Sequence, residues 1–208
     1  MSDTSINNKR IAKNTLFLYL RMGLVLVVSL FTTRVVLQAL GVEDYGINNV
    51  VSGFVIMFAF LNASMSNGVQ RFYNFSLGKQ NEYSITDVYN TALQIQIILS
   101  VILLFLLETF GLWYIHTQMV IPDERFSAAL WVFHFSVLSL LLLVLQIPYS
   151  AAIMAYERMD YYAYLSIFDV MAKLGIAYAI KYAAIDKLIL YGALNMIVSL
   201  ICFFLYYG

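Results

Sequence analysis

Two arginines stand inside the first long apolar stretch of the sequence, which runs from Asn14 to Leu40. Arginine near the centre of a membrane helix costs about 2.5–3.5 kcal/mol, so Arg21 and Arg34 are candidates for a functional role. Alternatively, each guanidinium extends to the nearer headgroup layer. The two positions lie about 20 Å apart along a helix, so side chains extended in opposite directions nearly reach both faces of a hydrocarbon layer about 30 Å thick. Their spacing is compatible with both interpretations.

The next apolar segment carries a stripe of uncharged polar residues. Asn62, Ser66 and Gln70 are four positions apart and therefore share one face of a helix. Such a face does not suit contact with lipid. It either donates hydrogen bonds to neighbouring helices or lines a water-filled cavity, and the sequence is compatible with both.

An acid and a base also occur together in a later apolar segment. Asp169 and Lys173 are four positions apart, a spacing at which the two side chains can pair on one helical face. Pairing lowers the cost of placing both charges in a membrane. The pair is therefore either a neutral structural element or a polar element that binds an ion or gates a path.

Few of the residues that build catalytic or metal centres are present. Neither His116 nor His134 has a carboxylate or cysteine at ligand spacing, and the single cysteine, Cys202, stands in apolar sequence. Glu108 is predicted to lie near the outer end of a membrane helix, as an interfacial carboxylate. The sequence has no glycine-rich phosphate loop and no nucleophile elbow. We therefore expect a protein that is not an enzyme and that uses no cofactor or metal.

The overall composition is that of a membrane protein. Hydrophobic residues make up 62% of the chain and charged residues only 12%, against about 25% in soluble domains. The mean hydropathy is +0.80. The formal net charge is zero, which argues against nucleic acid as a partner.

Six apolar segments have roughly the 20 residues that a spanning helix needs. Their hydrophobic residues form continuous runs rather than the alternation of barrel strands. The sequence therefore predicts an all-α membrane protein with six transmembrane helices, at about residues 15–40, 47–69, 88–114, 126–147, 161–183 and 187–207.

The distribution of lysine and arginine predicts the orientation. One side of the predicted membrane receives the N-terminus together with Lys9, Arg10, Lys13, Arg71, Lys79 and Arg158. The other side receives only Arg125, Lys181 and Lys187. We therefore expect both termini to be cytoplasmic.

Local signals predict where several helices begin and end. The motif from Gly41 to Gly46 is expected to form a turn between the first two spans. Pro122, followed by two acids, indicates a helix start. Pro148 is expected to kink or end the fourth helix, because proline lacks the backbone N–H that a helix interior requires.

The segment that begins at Arg34, RVVLQALGVEDYGINNVVSG, resembles the first outer turn of polysaccharide flippases. These proteins belong to the multidrug/oligosaccharidyl-lipid/polysaccharide exporter superfamily. The matching features are Arg34, Leu40-Gly41 and Tyr45-Gly46. Three further segments support the resemblance: KNTLFLYLRM, SMSNGVQRF and PYSAAIMAYERM, which begin at Lys13, Ser64 and Pro148.

This resemblance implies a fold and a location. Members of the family have two six-helix lobes around a central cavity, so the 208 residues correspond to one lobe. The resemblance implies either the N-terminal half of a longer transporter or a chain that pairs with a second lobe. The implied location is the inner membrane of a bacterial cell, with multiple spans. The implied partners are a lipid-linked oligosaccharide and the polymerase and assembly proteins of polysaccharide synthesis.

The resemblance also implies a function, the translocation of undecaprenyl-diphosphate-linked oligosaccharide units for O-antigen or capsule synthesis. Arginine binds phosphate oxygens through a planar fork, so Arg21 and Arg34 are the candidates for the diphosphate. Asn62, Ser66 and Gln70 are candidates for sugar hydroxyls. For Arg34, anchoring of the outer turn is an alternative role.

Two other functions remain open at this stage. A cation-coupled exporter of small amphipathic molecules needs an acid in the cavity, and Asp169, paired with Lys173, is the candidate. A non-transporting membrane scaffold of a polysaccharide assembly complex needs no cavity residues.

Overall fold

In the computed structural model of the chain, the described residues are 3–78 and 84–207, with side chains described at residue 12 and from residue 14 onward. Within these ranges every regular element is helical, as the sequence predicts. The α-helices are α1 (Asp3–Ile56), α2 (Phe60–Leu77), α3 (Ile85–Leu106), α4 (Leu112–Thr117), α5 (Asp123–Leu145), α6 (Ile147–Ala155), α7 (Met159–Lys181) and α8 (Lys187–Tyr207). A 3-10 turn (Met57–Ala59) joins α1 to α2, and a π-helical turn (Leu107–Gly111) joins α3 to α4.

Five helical stretches in the described part of the chain are long and apolar enough to cross a membrane. The prediction of six separate spans is thus supported only in part. The last predicted segment matches α8 residue for residue, whereas the first two fall inside one stretch of 64 residues, Asn14–Leu77. The other stretches are Ile85–Thr117, Asp123–Ala155 and Met159–Lys181.

The predicted turn from Gly41 to Gly46 is wrong in extent. Gly41 alone leaves the helical conformation, with φ 83° and ψ 170°, and Glu43 to Gly46 are helical. This combination of angles is essentially restricted to glycine, because a Cβ atom makes it strained. Gly41 thus divides α1 into an N-terminal arm (residues 3–40) and a C-terminal arm (residues 42–56).

Side-chain contacts show the direction of each arm. The N-terminal arm runs parallel to α7, because Arg21 lies over the ring of Tyr162 and Ala39 packs with Ile180. The C-terminal arm runs parallel to α5, because Asp44 contacts Arg125 and Ser52 contacts Ser136 further along both helices.

The helices α5 and α7 themselves run in opposite directions. Tyr161, at the start of α7, donates a hydrogen bond to the carbonyl of Leu205 near the end of α8. In contrast, α5 and the following α6 pass along α8 in the same direction, with Val132 beside Gly192 and Tyr149 beside Tyr207. The two arms of α1 therefore also run in opposite directions, and the chain folds back at Gly41.

The interior is held by close packing between helices. A Cβ atom on Gly111 would lie 2.6 Å from Phe133, and one on Gly192 would lie 3.2 Å from Phe135. Small residues permit such close approach between membrane helices, where packing rather than water exclusion holds helices together. The largest buried cluster joins the C-terminal arm of α1 to α5 and α8, and includes Val51, Val55, Val132, Phe133 and Leu188.

The proline signals act as predicted. α5 begins directly after Pro122, with Asp123 and Glu124 in its first turn. The fourth predicted helix breaks at Gln146, and α6 starts with Pro148 in its first turn. Proline is accepted there because the first N–H groups of a helix have no intrahelical partner.

Glu108 lies in a setting that the sequence does not indicate. It belongs to the π-helical turn, about 14 Å along the helical stretch from Thr117. Its Oε1 atom lies 3.0 Å from Nδ1 of His134 on α5. The two residues are 26 positions apart, so the packing of α3 against α5 creates this acid–histidine pair.

Candidate functional site

A cavity of about 750 Å³ lies among α1, α5, α7 and α8, and it extends to the first turns of α2. Its wall combines apolar side chains with many polar ones, and we call it the polar cavity. It spans much of the bundle, from Asn48 near the end that carries Arg125 to Tyr206 at the end that carries Tyr162. We call these the Arg125 end and the Tyr162 end. Polar residues that line it include Asn48, Ser52, Asn62, Ser66, Ser136, Ser139, Gln146, Ser150, Ser166, Asn195 and Ser199.

Arg21 lines this cavity near its Tyr162 end. Its guanidinium carbon lies 4.4 Å from the centre of the Tyr162 ring, a distance typical of cation–π contact. Its Nε atom is buried and has no hydrogen-bond partner within the described part of the chain. A cation–π contact of this kind does not use the N–H donors of the guanidinium.

The other charges of the cavity neutralise one another. Nζ of Lys173 lies 2.8 Å from Oδ2 of Asp169, which confirms the pairing that their spacing predicts. Both residues line the cavity, and Sγ of Cys202 lies 3.9 Å from Oδ1 of Asp169. Arg21 therefore supplies the net charge among the described lining residues, and this charge is positive.

Most serines of the cavity donate their hydroxyl hydrogen bond within their own helix. Ser136, Ser139, Ser166 and Ser199 each donate to the backbone carbonyl four positions earlier, over 2.7–3.1 Å. Their oxygens keep acceptor capacity, whereas the amides of Asn48, Asn49 and Gln146 offer both donors and acceptors. A wall of this type suits a ligand that is rich in hydroxyl groups.

The predicted site residues divide into two groups. Arg21, Asn62, Ser66, Asp169 and Lys173 all line the one cavity. Arg34 and Gln70 are not among its lining residues, and Arg34 is exposed. Both interpretations of the Asn62 stripe apply to Asn62, because it lines the cavity while its Nδ2 donates to the carbonyl of Leu143 over 3.1 Å.

Sequence reasoning missed most of the uncharged lining. Asn48 with Ser52, Gln146 with Ser150, and Asn195 with Ser199 repeat the four-residue spacing of Asn62 with Ser66. Each of these pairs lines the cavity. A search for amide and hydroxyl residues at this spacing within the predicted apolar segments finds the Asn48 and Asn195 pairs. It misses the Gln146 pair, because Ser150 lies beyond the fourth segment.

An ionic cluster lies at the Arg125 end. Arg125 bonds to Asp44 through Nε, at 2.7 Å from Oδ1, and through Nη2. Its Nη1 lies 2.7 Å from Oδ2 of Asp186, whose other oxygen caps the start of α8 by accepting from Leu188 and Ile189. One arginine thereby ties the fold-back of α1 and the turn before α8 to the start of α5.

Burial acts to raise the pKa of the Asp186 carboxyl. The amide of Ile189, the Arg125 guanidinium and the amide of Leu188 together outweigh this effect and lower the pKa below its ordinary value of 3.8. Asp186 is therefore a carboxylate at neutral pH and keeps its bond to Arg125 there.

Comparison with protein-family models, with curated proteins and with solved structures finds no match for this chain.

Proposed function

We propose that this chain forms one lobe of a flippase that moves an undecaprenyl-diphosphate-linked oligosaccharide from the cytoplasmic to the outer leaflet, for O-antigen or capsule synthesis. The observation that carries the proposal is a cavity inside an apolar bundle whose wall includes many amide and hydroxyl side chains. Arg21 lines it near the Tyr162 end, and its Nε has no hydrogen-bond partner among the described residues. Transport of such a substrate requires that a sugar and a diphosphate be shielded from hydrocarbon.

The two parts of the cavity match the two parts of this head group. Hydroxyl and amide groups along α5, α7 and α8 suit sugar hydroxyls, which both donate and accept. The guanidinium of Arg21 suits the diphosphate, because it can give two parallel N–H bonds to phosphate oxygens. The cavity volume of about 750 Å³ lies within the range of about 300–1,000 Å³ that is common for ligand sites.

The proposal includes a topology of six crossings with both termini in the cytoplasm. The reversal at Gly41 supports this topology. The N-terminal arm of α1 is then one span, and the C-terminal arm together with its continuation into α2 is a second span. The lysine and arginine bias favours a cytoplasmic location for the Tyr162 end, which carries Arg71 and Arg158. Lys79 lies outside the described residues. Arg21 then lies where a substrate made in the cytoplasm arrives.

A second lobe is part of the proposal, because alternating access requires one unit to move against another around a fixed site. The family resemblance is the basis for that second lobe. The polymerase and assembly proteins of polysaccharide synthesis remain the proposed partners.

The alternative of a cation-coupled exporter is less favoured by the cavity. Asp169, the acid that it requires, is bonded to Lys173 at 2.8 Å. A cation has to displace the lysine before it can bind there. The net positive charge of the described lining also favours an anionic ligand over a cationic one.

Deletion of the gene separates these functions. We expect the deletion strain to accumulate diphosphate-linked oligosaccharide on the cytoplasmic leaflet and to keep its resistance to amphipathic cations. Normal levels of the lipid-linked oligosaccharide together with lost resistance would contradict the flippase and support the exporter. Normal levels of the lipid-linked oligosaccharide together with normal resistance would contradict both transport functions and favour the scaffold role.

A further inference from the structure

The acid–histidine pair of Glu108 and His134 lies on the outside of the bundle, where α3 and its π-helical turn pass α5. The Glu108 side chain is 34% exposed and the His134 side chain 40% exposed, and neither residue lines the polar cavity. His134 shares a helical face with Trp131 and Leu138, and Phe105 lies one turn from Glu108. All three of these apolar side chains are exposed. We call the surface formed by these five residues the α3–α5 face.

The pair lies close to the middle of the bundle. His134 is about 16 Å along α5 from Asp123 and about 18 Å from Gln146. A hydrocarbon layer is about 30 Å thick, so a spanning α5 holds the pair near the centre of that layer. Glutamate and histidine lack the long stems with which lysine and arginine extend to a headgroup layer.

Each side chain of the pair keeps one polar atom unused. Oε1 of Glu108 lies 3.0 Å from Nδ1 of His134, but Oε2 and Nε2 have no hydrogen-bond partner in the described part of the chain. The nearest acidic or basic side chains along these helices, His116 and Arg125, are about 12–14 Å away. Unpaired polar atoms are costly in hydrocarbon, and ionisable side chains in membrane helices almost always face protein or water. Lipid is therefore a poor neighbour for the α3–α5 face.

We propose that the α3–α5 face binds the same face of a second copy of this chain. Nε2 of His134 in each copy then bonds to Oε2 of Glu108 in the other. Two copies inserted with the same topology are related by a two-fold axis parallel to the membrane normal, and such an axis keeps every residue at its own depth. Because Glu108 and His134 are in contact at one depth, each meets its complement across the axis.

The hydrogen-bonding capacities of the two side chains match this arrangement. An imidazolium has two N–H donors, and a carboxylate has two oxygens that accept. One donor and one oxygen are used within a copy, and the two reciprocal bonds between copies use the others. The result is a closed ring of four hydrogen bonds with no net charge, and polar bonds of this kind hold membrane helices together.

A second copy fits this surface better than an unrelated membrane helix does. An acid beside a base is complementary to itself, whereas another partner has to supply both a base and an acid at the same depth. The face is also held in a fixed shape, since a Cβ atom on Gly111 would lie 2.6 Å from Phe133. Different residues form the α3–α5 face and the polar cavity, so the inference does not depend on what the cavity carries.

Disulfide cross-linking in membranes tests where the copies meet. In a Cys202→Ser background, we expect copper phenanthroline to link Leu138→Cys into a species of twice the monomer mass. Leu26→Cys is the matched control, because Leu26 is 61% exposed on the N-terminal arm of α1. Leu26 is about 22 Å from Gly41, and Leu138 is about 22 Å from Asp123 at the same end of the bundle. The control should stay monomeric.

Energy transfer between labelled copies tests the role of the pair. Donor and acceptor dyes on Val42→Cys, in the same background, report association in phosphatidylcholine vesicles as lipid is added. Glu108→Gln and His134→Phe each disrupt both bonds between copies and should weaken association roughly tenfold. Thr109→Val is the matched control and should leave association unchanged, because the Thr109 hydroxyl already donates to the carbonyl of Phe105 over 2.7 Å.

Leu138→Trp obstructs the α3–α5 face without altering the pair. Leu138 is 44% exposed in one copy, so this variant should weaken association while the melting temperature of the dilute monomer stays unchanged. It keeps the test decisive if a substitution in the pair prevents folding. Equal cross-linking at Leu26 and Leu138, or none at Leu138, overturns the inference. Energy transfer that persists unchanged in Leu138→Trp, or in folded Glu108→Gln and His134→Phe, overturns it as well.

Discussion

Arg21 and Arg34 lie on the same arm of α1 but in different surroundings. Arg21 lies against Tyr162 at the wall of a polar cavity, whereas Arg34 is exposed on the outside of the same arm. The cost of an intramembrane arginine applies to both, but only Arg21 has a compartment in which a ligand can offset it. Arg34 fits the alternative of anchoring the outer turn, since it lies near Gly41.

A second residue-scale feature is a buried amide on α3. Gln96 is fully buried, and neither its Oε1 nor its Nε2 has a hydrogen-bond partner among the described residues. An unsatisfied buried polar group costs about 1–3 kcal/mol. We therefore predict that Gln96→Met raises the free energy of unfolding by about 1–2 kcal/mol, as measured by denaturant titration in detergent.

Gln96→Ala is the control for this prediction. It removes the same amide but leaves a void, and large-to-small changes in a packed interior lower stability. If Gln96→Met lowers stability as much as Gln96→Ala does, the amide has partners and the prediction fails.

The carboxylate of Asp186 predicts how stability depends on pH. Its pKa is lower in the folded chain than its ordinary value of 3.8, so its contribution is present above pH 3.8 and is lost as pH falls below that value. We expect the melting temperature to be flat near neutral pH and to fall in acid. Asp186→Asn should lower stability at pH 7 by about 1 kcal/mol, since the pair is partly exposed, and should reduce the acid-dependent loss. Parallel losses in both proteins would show that other groups cause the acid effect.

At the scale of helices, the fold-back of α1 depends on Gly41. Its φ of 83° with ψ of 170° is strained for any residue with a Cβ, although a Cβ there would meet no atom within 4 Å. We predict that Gly41→Ala lowers the free energy of unfolding by about 1–3 kcal/mol through backbone strain alone. Chemical denaturation in detergent measures the change.

Gly46→Ala is the matched control, because Gly46 is a helical glycine with open space around its Cβ position. Alanine is favoured over glycine within a helix, so this variant should be unchanged or slightly more stable. A Gly41→Ala protein as stable as Gly46→Ala would show that the arms do not need the left-handed conformation.

Local signals explain which elements the sequence predicts well. The length of the last apolar segment predicted α8. Pro122, followed by two acids, predicted the start of α5. The predicted turn between the first two predicted spans was longer than the observed one. Val42 to Tyr45 contains no residue that forbids a helix, and Gly41 alone makes the reversal. Charged and polar groups four apart on one helix, such as Asp169 with Lys173, were also accessible from sequence.

Contacts between segments that are distant in the sequence could not be predicted from local patterns. The Glu108–His134 pair and the Arg21–Tyr162 contact join residues that only helix packing brings together. The same holds for the separation of Gln70 from the cavity, since a four-residue spacing defines a face but not what that face meets.

At the scale of the whole molecule, the proposed orientation places the Tyr162 end in the cytoplasm. Val42, near the Arg125 end, is 82% exposed, and the Arg158 side chain near the other end is 67% exposed. In a Cys202→Ser background, we predict that a membrane-impermeant maleimide labels Val42→Cys in spheroplasts. Arg158→Cys should react only after permeabilisation, and the reverse pattern would invert the topology.

The central claim is that Arg21 holds the diphosphate of a lipid-linked oligosaccharide in the polar cavity. The most direct measurement compares how well Arg21→Ala and Arg34→Ala, each expressed from the protein's own gene at matched membrane levels, complement the deletion strain. One contact to a charged phosphate, in binding or in the transition state, contributes about 3 kcal/mol. Its loss lowers a rate roughly a hundredfold. We predict that Arg21→Ala loses glycan export on this scale and accumulates the lipid-linked precursor, whereas Arg34→Ala retains export. Normal export by Arg21→Ala would contradict the account.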